Sequence, residues 1–269
     1  MNRRMHIGGV GFTIELAGKM GDPVSGGGGW RHADRVVAVE SVVSGTVECM
    51  ARKTLTAAPR LEKLRLEAIA VGDADHLQAH ESYSGGRYVA SDLRERELSG
   101  ISFSECEFVE LEASETDLRA ATFVDTRFER LNAPIFTAPR SSFRDVSFEG
   151  SRLGSAEFYE ANWSSVHFVH CRIGYLNLRG ARLEDVLFTD CLIDELDLGA
   201  ATANRVSFID TQINNLDLTR STLTNFDLRG VELRQLGGVE YLKGATLNSY
   251  QLSELAPLFA HHLGIVLDE

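Results

Sequence analysis

The chain has 269 residues, a formal net charge of −12 and 43% apolar side chains, enough for one or two packed domains. Its acidity disfavours nonspecific attachment to nucleic acid or to an anionic membrane, and no uninterrupted apolar run approaches the ~20 residues that span a bilayer. The four cysteines, Cys49, Cys106, Cys171 and Cys191, lack metal-ligand or redox spacing and read as reduced core thiols of a cytoplasmic protein.

Residues 1–49 contain the glycine-rich run Ser25–Gly29 and no helical or five-residue period. They read as a disordered or mis-assigned extension. The stretch Met50-Ala51-Arg52-Lys53 resembles a fresh start, and translation is expected to begin there. Glu15 interrupts the apolar stretch of the first twenty residues and no small-residue cleavage site comes after it, so no secretory leader is read. Residues 50–87 form a lead-in. Pro59 and the leucines of Thr54–Ala70 suggest an extended or briefly helical piece, and Asp73–His80 one or two helical turns. Gly85-Gly86 closes it, and the segment is expected to cap the N-terminal end of the repeats beyond it.

From Leu93 to Leu233 every fifth residue is apolar, and 25 of those 29 positions are large. A helix would scatter such a series around its axis, and a flat strand would flip it from face to face. The count works if the chain turns a corner once per repeat. Two residues before each centre lies a second inward register, because i−2 and i share a face in an extended piece. Taken every twenty residues it sorts by size. Ala121, Ser141, Ala161 and Ala181 make one column, Val146, Val166, Val186 and Val206 another. Cys171 and Cys191 share a third, and Leu176, Leu196 and Leu216 a fourth. Twenty residues are four pentads, so residues 88–236 are expected to form an all-β solenoid with four sides, about seven coils and ~35 Å long. Ala133 and Ala138, beside Pro134 and Pro139, mark a thin place where a bend or bulge is expected, with Ile135 and Phe136 filling the space.

Register is expected to fail after Leu233, at Gly237-Gly238. In the last segment, 237–269, residues 249–263 read as an amphipathic capping helix with Ser249 as N-cap and Gly264 as stop. Leu252, Leu255, Ala256, Phe259 and Leu263 fall on one stripe. That stripe suits a lid on the last coil, since bare solenoid ends need covering, and also suits a homodimer contact.

Pentads such as Gly180-Ala-Arg-Leu-Glu184 and Leu196-Asp-Leu-Gly-Ala200 resemble the pentapeptide-repeat family over roughly residues 88–247. The resemblance implies a right-handed quadrilateral β-helix. The ending from Leu242 to Ile265, with Arg87-Tyr88 and Ala138-Pro-Arg140, is similar to an actinobacterial group of the family with no assigned role, whose chains begin near this Met50. Other members, of the Qnr type, are dimeric DNA mimics that bind DNA gyrase. The resemblance therefore implies a protein partner, with DNA gyrase or another type II topoisomerase as the specific form.

The outward positions carry the acid for such a role. Residues 85–236 hold 25 acidic and 16 basic side chains, against ten of each in 1–84. One column contains Asp117, Glu157, Asp197 and Asp217, a second Asp125, Asp145 and Asp185, and Asp190 and Asp210 also stack. These nine residues are the candidate partner-binding face, and Arg119, Arg179, Arg182 and Arg205 interrupt it. A solvated acidic surface without a partner explains the same pattern, because two such exposed charges one coil apart repel by only ~1 kcal/mol in water. His76 and His80 have metal-like i, i+4 spacing without an HExxH pattern or a third ligand, so no metal site is read. His167 and His170 are expected in solvent. No phosphate loop or nucleophile elbow occurs, and the filled interior offers no substrate pocket. The reading is non-enzymatic, with no catalytic residue, no cofactor and no direct nucleic-acid binding. A scaffold or adaptor for some other protein is the second reading.

Overall fold

The computed structural model describes residues 56–66 and 69–266. Residues 1–49, the expected start at Met50 and Cys49 lie outside them. The chain winds into a solenoid of about nine turns closed by one helix. Eight-residue strands such as Ser142–Glu149, Asn162–Val169 and Arg182–Thr189 alternate with six-residue strands such as Arg152–Glu157 and Arg172–Asn177. Each kind stacks in parallel on its own kind at an offset of twenty residues. Phe148 faces Phe168 and Phe168 faces Phe188 in one sheet, and Leu153 faces Ile173 in the other.

The five-residue centres point inward, as the period requires. Phe148, Phe168 and Phe188 are fully buried. Their rings lie 4.5 and 5.1 Å apart, centroid to centroid. The pile continues through Phe128 and Phe108 to Tyr88 at one end and to Phe208 at the other. Its spacing matches the ~4.8 Å strand separation, so backbone pairing and ring stacking reinforce each other. The size-sorted columns are buried as well. Most hydroxyls within them bond a nearby carbonyl, as Ser141 does to Ala138 at 2.5 Å and Thr126 to Val124 at 3.0 Å, whereas the buried Ser221 Oγ has no partner. Buried polar groups are most often bonded in this way.

Corners explain the period of five. Positive φ recurs at Asp125, Asp145, Ser165, Asp185, Arg205 and Asn225, at Ala120, Arg140, Glu160 and Ala200, and at Arg130, His170, Asp190 and Asp210. Gly150 and Gly180 fill equivalent corner positions. The left-handed conformation costs a non-glycine residue roughly 1–2 kcal/mol. It is offset because the corner N–H reaches the next coil: Arg140 donates to the Tyr159 carbonyl at 2.9 Å and Asp190 to that of Ile209 at 3.0 Å. At the fourth corner φ is positive at Glu95 and Glu115 but not at Ile135, Ser155, Tyr175, Glu195 or Asn215.

Several expectations need correction. The solenoid begins before residue 88: Ala70 and Val71 already pair with Gly86 and Arg87, sixteen residues on. Its last pairing lies beyond residue 236, where Phe226 and Asp227 meet Ala245 and Thr246, nineteen residues on. The one-residue slip falls after Gly237, which keeps the twenty-residue offset, at Gly238 with φ of 70°. A Cβ there would meet the Thr219 backbone nitrogen at 2.5 Å, so the slip needs a glycine. The thin place is neither bent nor bulged in pairing, since Asn132, Ala133, Ile135 and Phe136 keep full register. Phe136 is buried, but Ile135 faces out, 41% exposed. Pro134 sits within the strand Asn132–Thr137 rather than at a turn. Asp73–His80 holds a single 3₁₀ turn, Ala74–His76.

The final helix, α1, spans Ser249–His262. Its N-cap is Asn248, not Ser249. The Asn248 side chain accepts from the Gln251 N–H at 2.8 Å while the Gln251 side chain accepts from the Asn248 N–H at 3.0 Å, a capping box. Gln251 also donates to the Leu228 and Val231 carbonyls, fastening α1 to the last coil. The expected stripe is only partly covered. Leu255 and Phe259 are half-buried, but Leu252 and Leu263 are 54% and 71% exposed.

Candidate functional site

The nine candidate carboxylates occupy three outward columns, and the columns differ in what holds them. In the first, the side chain turns back on its own chain. Asp117 accepts the Arg119 N–H at 2.9 Å, Asp197 the Gly199 N–H at 2.8 Å and Asp217 the Thr219 N–H at 2.8 Å. Asn177, in the same column, does likewise with Arg179. A short carboxylate or amide two residues before an N–H closes an Asx turn, which suits a corner. Asp197 also takes Arg179 Nη1 at 3.0 Å and the Tyr175 hydroxyl at 3.2 Å, and is buried. Burial and the Asp197 charge push the Tyr175 hydroxyl up to about 12. Glu157 accepts from Ser155 at 3.1 Å and from Asn177 at 2.6 Å, and makes no such turn contact.

The second column is covered by the protein itself. Residues 56–66 are extended and run lengthwise along the solenoid, against the direction in which coils are added. Ala57 N–H donates to Asn225 Oδ1 at 3.1 Å, Arg60 N–H to Asp185 Oδ1 at 2.8 Å, Glu62 N–H to Ser165 Oγ at 3.0 Å and Arg65 N–H to Asp125 Oδ1 at 3.1 Å. Thr56 and Thr246 bond through their hydroxyls beyond the upper end. This part of the lead-in is therefore a strap along the side, and not the cap on the N-terminal end that the sequence suggests. Asp185 is buried and bridges to Arg205 Nε. Burial pushes its carboxyl up, but Arg205 and the Arg60 N–H outweigh that and hold it below the ordinary carboxylate range. Asp145, in the same column, is half-buried.

Asp190 and Asp210 make the third column and are exposed. His170 Nδ1 lies 3.5 Å from Asp190 Oδ2. Both aspartates line an open cleft of about 1010 Å³ between the solenoid wall and α1, with Arg234, Glu254 and Leu255. Of the nine candidates, then, Asp190 and Asp210 stand in solvent, Asp117, Asp125, Asp145, Glu157 and Asp217 are half-buried, and Asp185 and Asp197 are buried.

The histidines divide differently from expectation. His167 is half-buried and bonds the Thr189 hydroxyl at 3.0 Å, and its burial pulls its pKa down. His170 is exposed. His76 pairs with Asp73 at 2.7 Å, and no group of three metal-ligating side chains occurs among the described residues. Cys106, Cys171 and Cys191 are buried free thiols. Among the described residues no helix is long and apolar enough to cross a membrane.

Residues 141–199 match the family model described as a pentapeptide repeat region. No curated protein matches the chain. Among solved structures, the chain is similar to full-length QnrB1, a plasmid-mediated fluoroquinolone resistance protein, at 20% identity and a TM-score of 0.26, over 72% of this chain and 94% of that one. A trypsin-treated QnrB1 variant matches at 16% identity and a TM-score of 0.23, over 71% and 91%.

Proposed function

We propose that this pentapeptide-repeat protein acts without catalysis, by presenting the outside of a rigid solenoid to another macromolecule in the cytoplasm. The supporting observation is the packing of its interior, where the centres from Leu93 to Leu228 are buried against one another. Binding chemistry is thereby pushed to the outer columns.

In its most specific form, carboxylates returning every ~4.8 Å substitute for nucleic-acid phosphates toward a type II topoisomerase such as DNA gyrase. Asp190 and Asp210, the exposed pair, would be the direct contacts, with the half-buried Asp117, Glu157 and Asp217 as a separate and less accessible column. Purified protein is expected to inhibit gyrase supercoiling at micromolar concentration, and the double substitution Asp190→Asn with Asp210→Asn to weaken that inhibition. Undisturbed supercoiling at the same concentration would overturn the mimic reading.

An adaptor role for a different protein is the second reading. It is favoured by the pairing of Asp185 with Arg205 and of Asp197 with Arg179, which removes charge a phosphate mimic would display. Affinity capture from native cells, with gyrase absent from the recovered partners, separates the two. We further propose that two copies join through α1 and the residues just after it, where Tyr250, Leu252, Leu263, Ile265 and Val266 are exposed. Light scattering should give twice the chain mass; a monomer at all concentrations would exclude this.

A further inference from the structure

The strap does more than cover one side. Its four N–H contacts start at Asn225 and end at Asp125, five coils apart, or ~24 Å at ~4.8 Å per coil. The donors run from Ala57 to Arg65, a rise of eight residues, which at the polyproline-II rise of ~3.1 Å makes ~25 Å. The same eight residues as a helix would reach only ~12 Å. Three residues of such a peptide (Ala57 to Arg60, and again Glu62 to Arg65) step over two coils. Three is also the number of residues per polyproline-II turn, so the two donors of each such pair return to the same side. Between the pairs, Arg60 to Glu62 is a two-residue step that crosses one coil.

Side chains obey the same division. Ala57, Pro59, Leu61, Leu64 and Leu66 are half-buried, while Arg60, Lys63 and Arg65 are exposed. The strap thus brings three basic residues and one acidic, Glu62, to a solenoid whose residues 85–236 carry the acidic excess.

We propose that the corner column Asp125, Asp145, Ser165, Asp185 and Asn225 is a peptide-binding groove that reads the backbone N–H groups of an extended, polyproline-type, basic segment, and that residues 56–66 are its occupant in cis. The partner it fits is a peptide of the same chemistry on another protein: apolar residues inward, Lys or Arg outward, and unblocked N–H groups at successive spacings of three, two and three residues, as in the strap. The strap, held at high effective concentration by its own chain, keeps the groove closed to weak competitors. This stands independently of any topoisomerase.

The test uses the full chain. Substituting Arg60→Pro and Arg65→Pro removes two of the donors while keeping an extended backbone, and leaves the packed interior untouched. A fluorescein-labelled synthetic peptide with the sequence of residues 56–66 is titrated against both proteins and monitored by anisotropy. The loosened protein should bind at least tenfold more tightly than the wild type. Adding Asp185→Ala should abolish that gain, as should a peptide carrying proline at its own Arg60 and Arg65 positions. Amide hydrogen exchange of the wild type should show protection at Arg60 and Glu62. No saturable binding to the loosened protein, or binding indifferent to Asp185 and to the peptide's N–H groups, overturns the proposal. So does unprotected exchange at both amides.

Discussion

Phe148, Phe168 and Phe188 repeat because each fills the same space one coil further on. Asp125, Asp145 and Asp185 repeat on the same count of twenty, yet two of the three hold the strap and one of those is also bound to an arginine. Inside, one requirement acts on every coil, so a period is a sufficient description. Outside, water accepts many solutions, and the same residue type serves as a turn cap, a strap anchor or a solvated charge. A repeat on the surface therefore shows that a position recurs, not that its role does.

The largest test of this contrast is Phe168→Asp. Truncating a buried phenylalanine costs about 3–5 kcal/mol, and an unpaired buried carboxylate adds several more. Total stability of a folded domain is only ~5–15 kcal/mol. Because coils lean on their neighbours alone, the stack should split around residue 168. Calorimetry should show the cooperative melt lost or broken into two transitions at lower temperature. A melt close to that of the wild type would mean the centres do not carry the fold.

A second pair of substitutions compares carboxylates with each other. Asp197→Ala leaves the buried Gly199 N–H without its acceptor, at a cost of about 1–3 kcal/mol, and also releases the half-buried Tyr175 and the exposed Arg179. Asp190→Ala, at an exposed corner, should stay within about 0.5 kcal/mol. Equal losses in denaturant titration would break the division between structural and solvated acid. Asp185→Ala belongs with Asp197, and should in addition raise proteolytic cleavage within residues 56–66.

Against these differences, the interior is legible in the sequence and the surface only in part. Four-sidedness, the phenylalanine pile and the buried thiols come from a single count, since core volume constrains each inward residue. The start at Ala70 is hidden because its first turn is sixteen residues long instead of twenty. Gly238 can be seen as an interruption, but not as a one-residue slip after which pairing resumes. The strap leaves weaker signals: Pro59, and leucines at 61, 64 and 66, a series too short to fix any one period. Its contacts use backbone N–H groups, which every non-proline residue has, so side-chain identity could not reveal them. Polyproline-like spacing opposite a column of acceptors is the pattern to seek in such a lead-in.

The smallest predicted effect falls on the half-buried His167. Burial lowers the folded-state pKa of His167 below its ordinary 6.5, with Glu149 acting in the opposite direction. Between that lowered value and 6.5 the unfolded chain binds more protons than the folded one, so stability rises with pH across the window. The contribution is complete above 6.5, is lost as pH falls below it, and levels off beneath the folded pKa. The melting temperature should therefore drop as the solution is acidified from neutrality through 6.5. His167→Gln keeps a hydrogen-bonding side chain near Thr189 but cannot take up the proton, so its curve should be flatter over that interval. If His167→Gln keeps the full slope of the wild type, then the half-buried position is not the one that resists protonation, and the distinction between packed and solvated positions fails where its energetic margin is smallest.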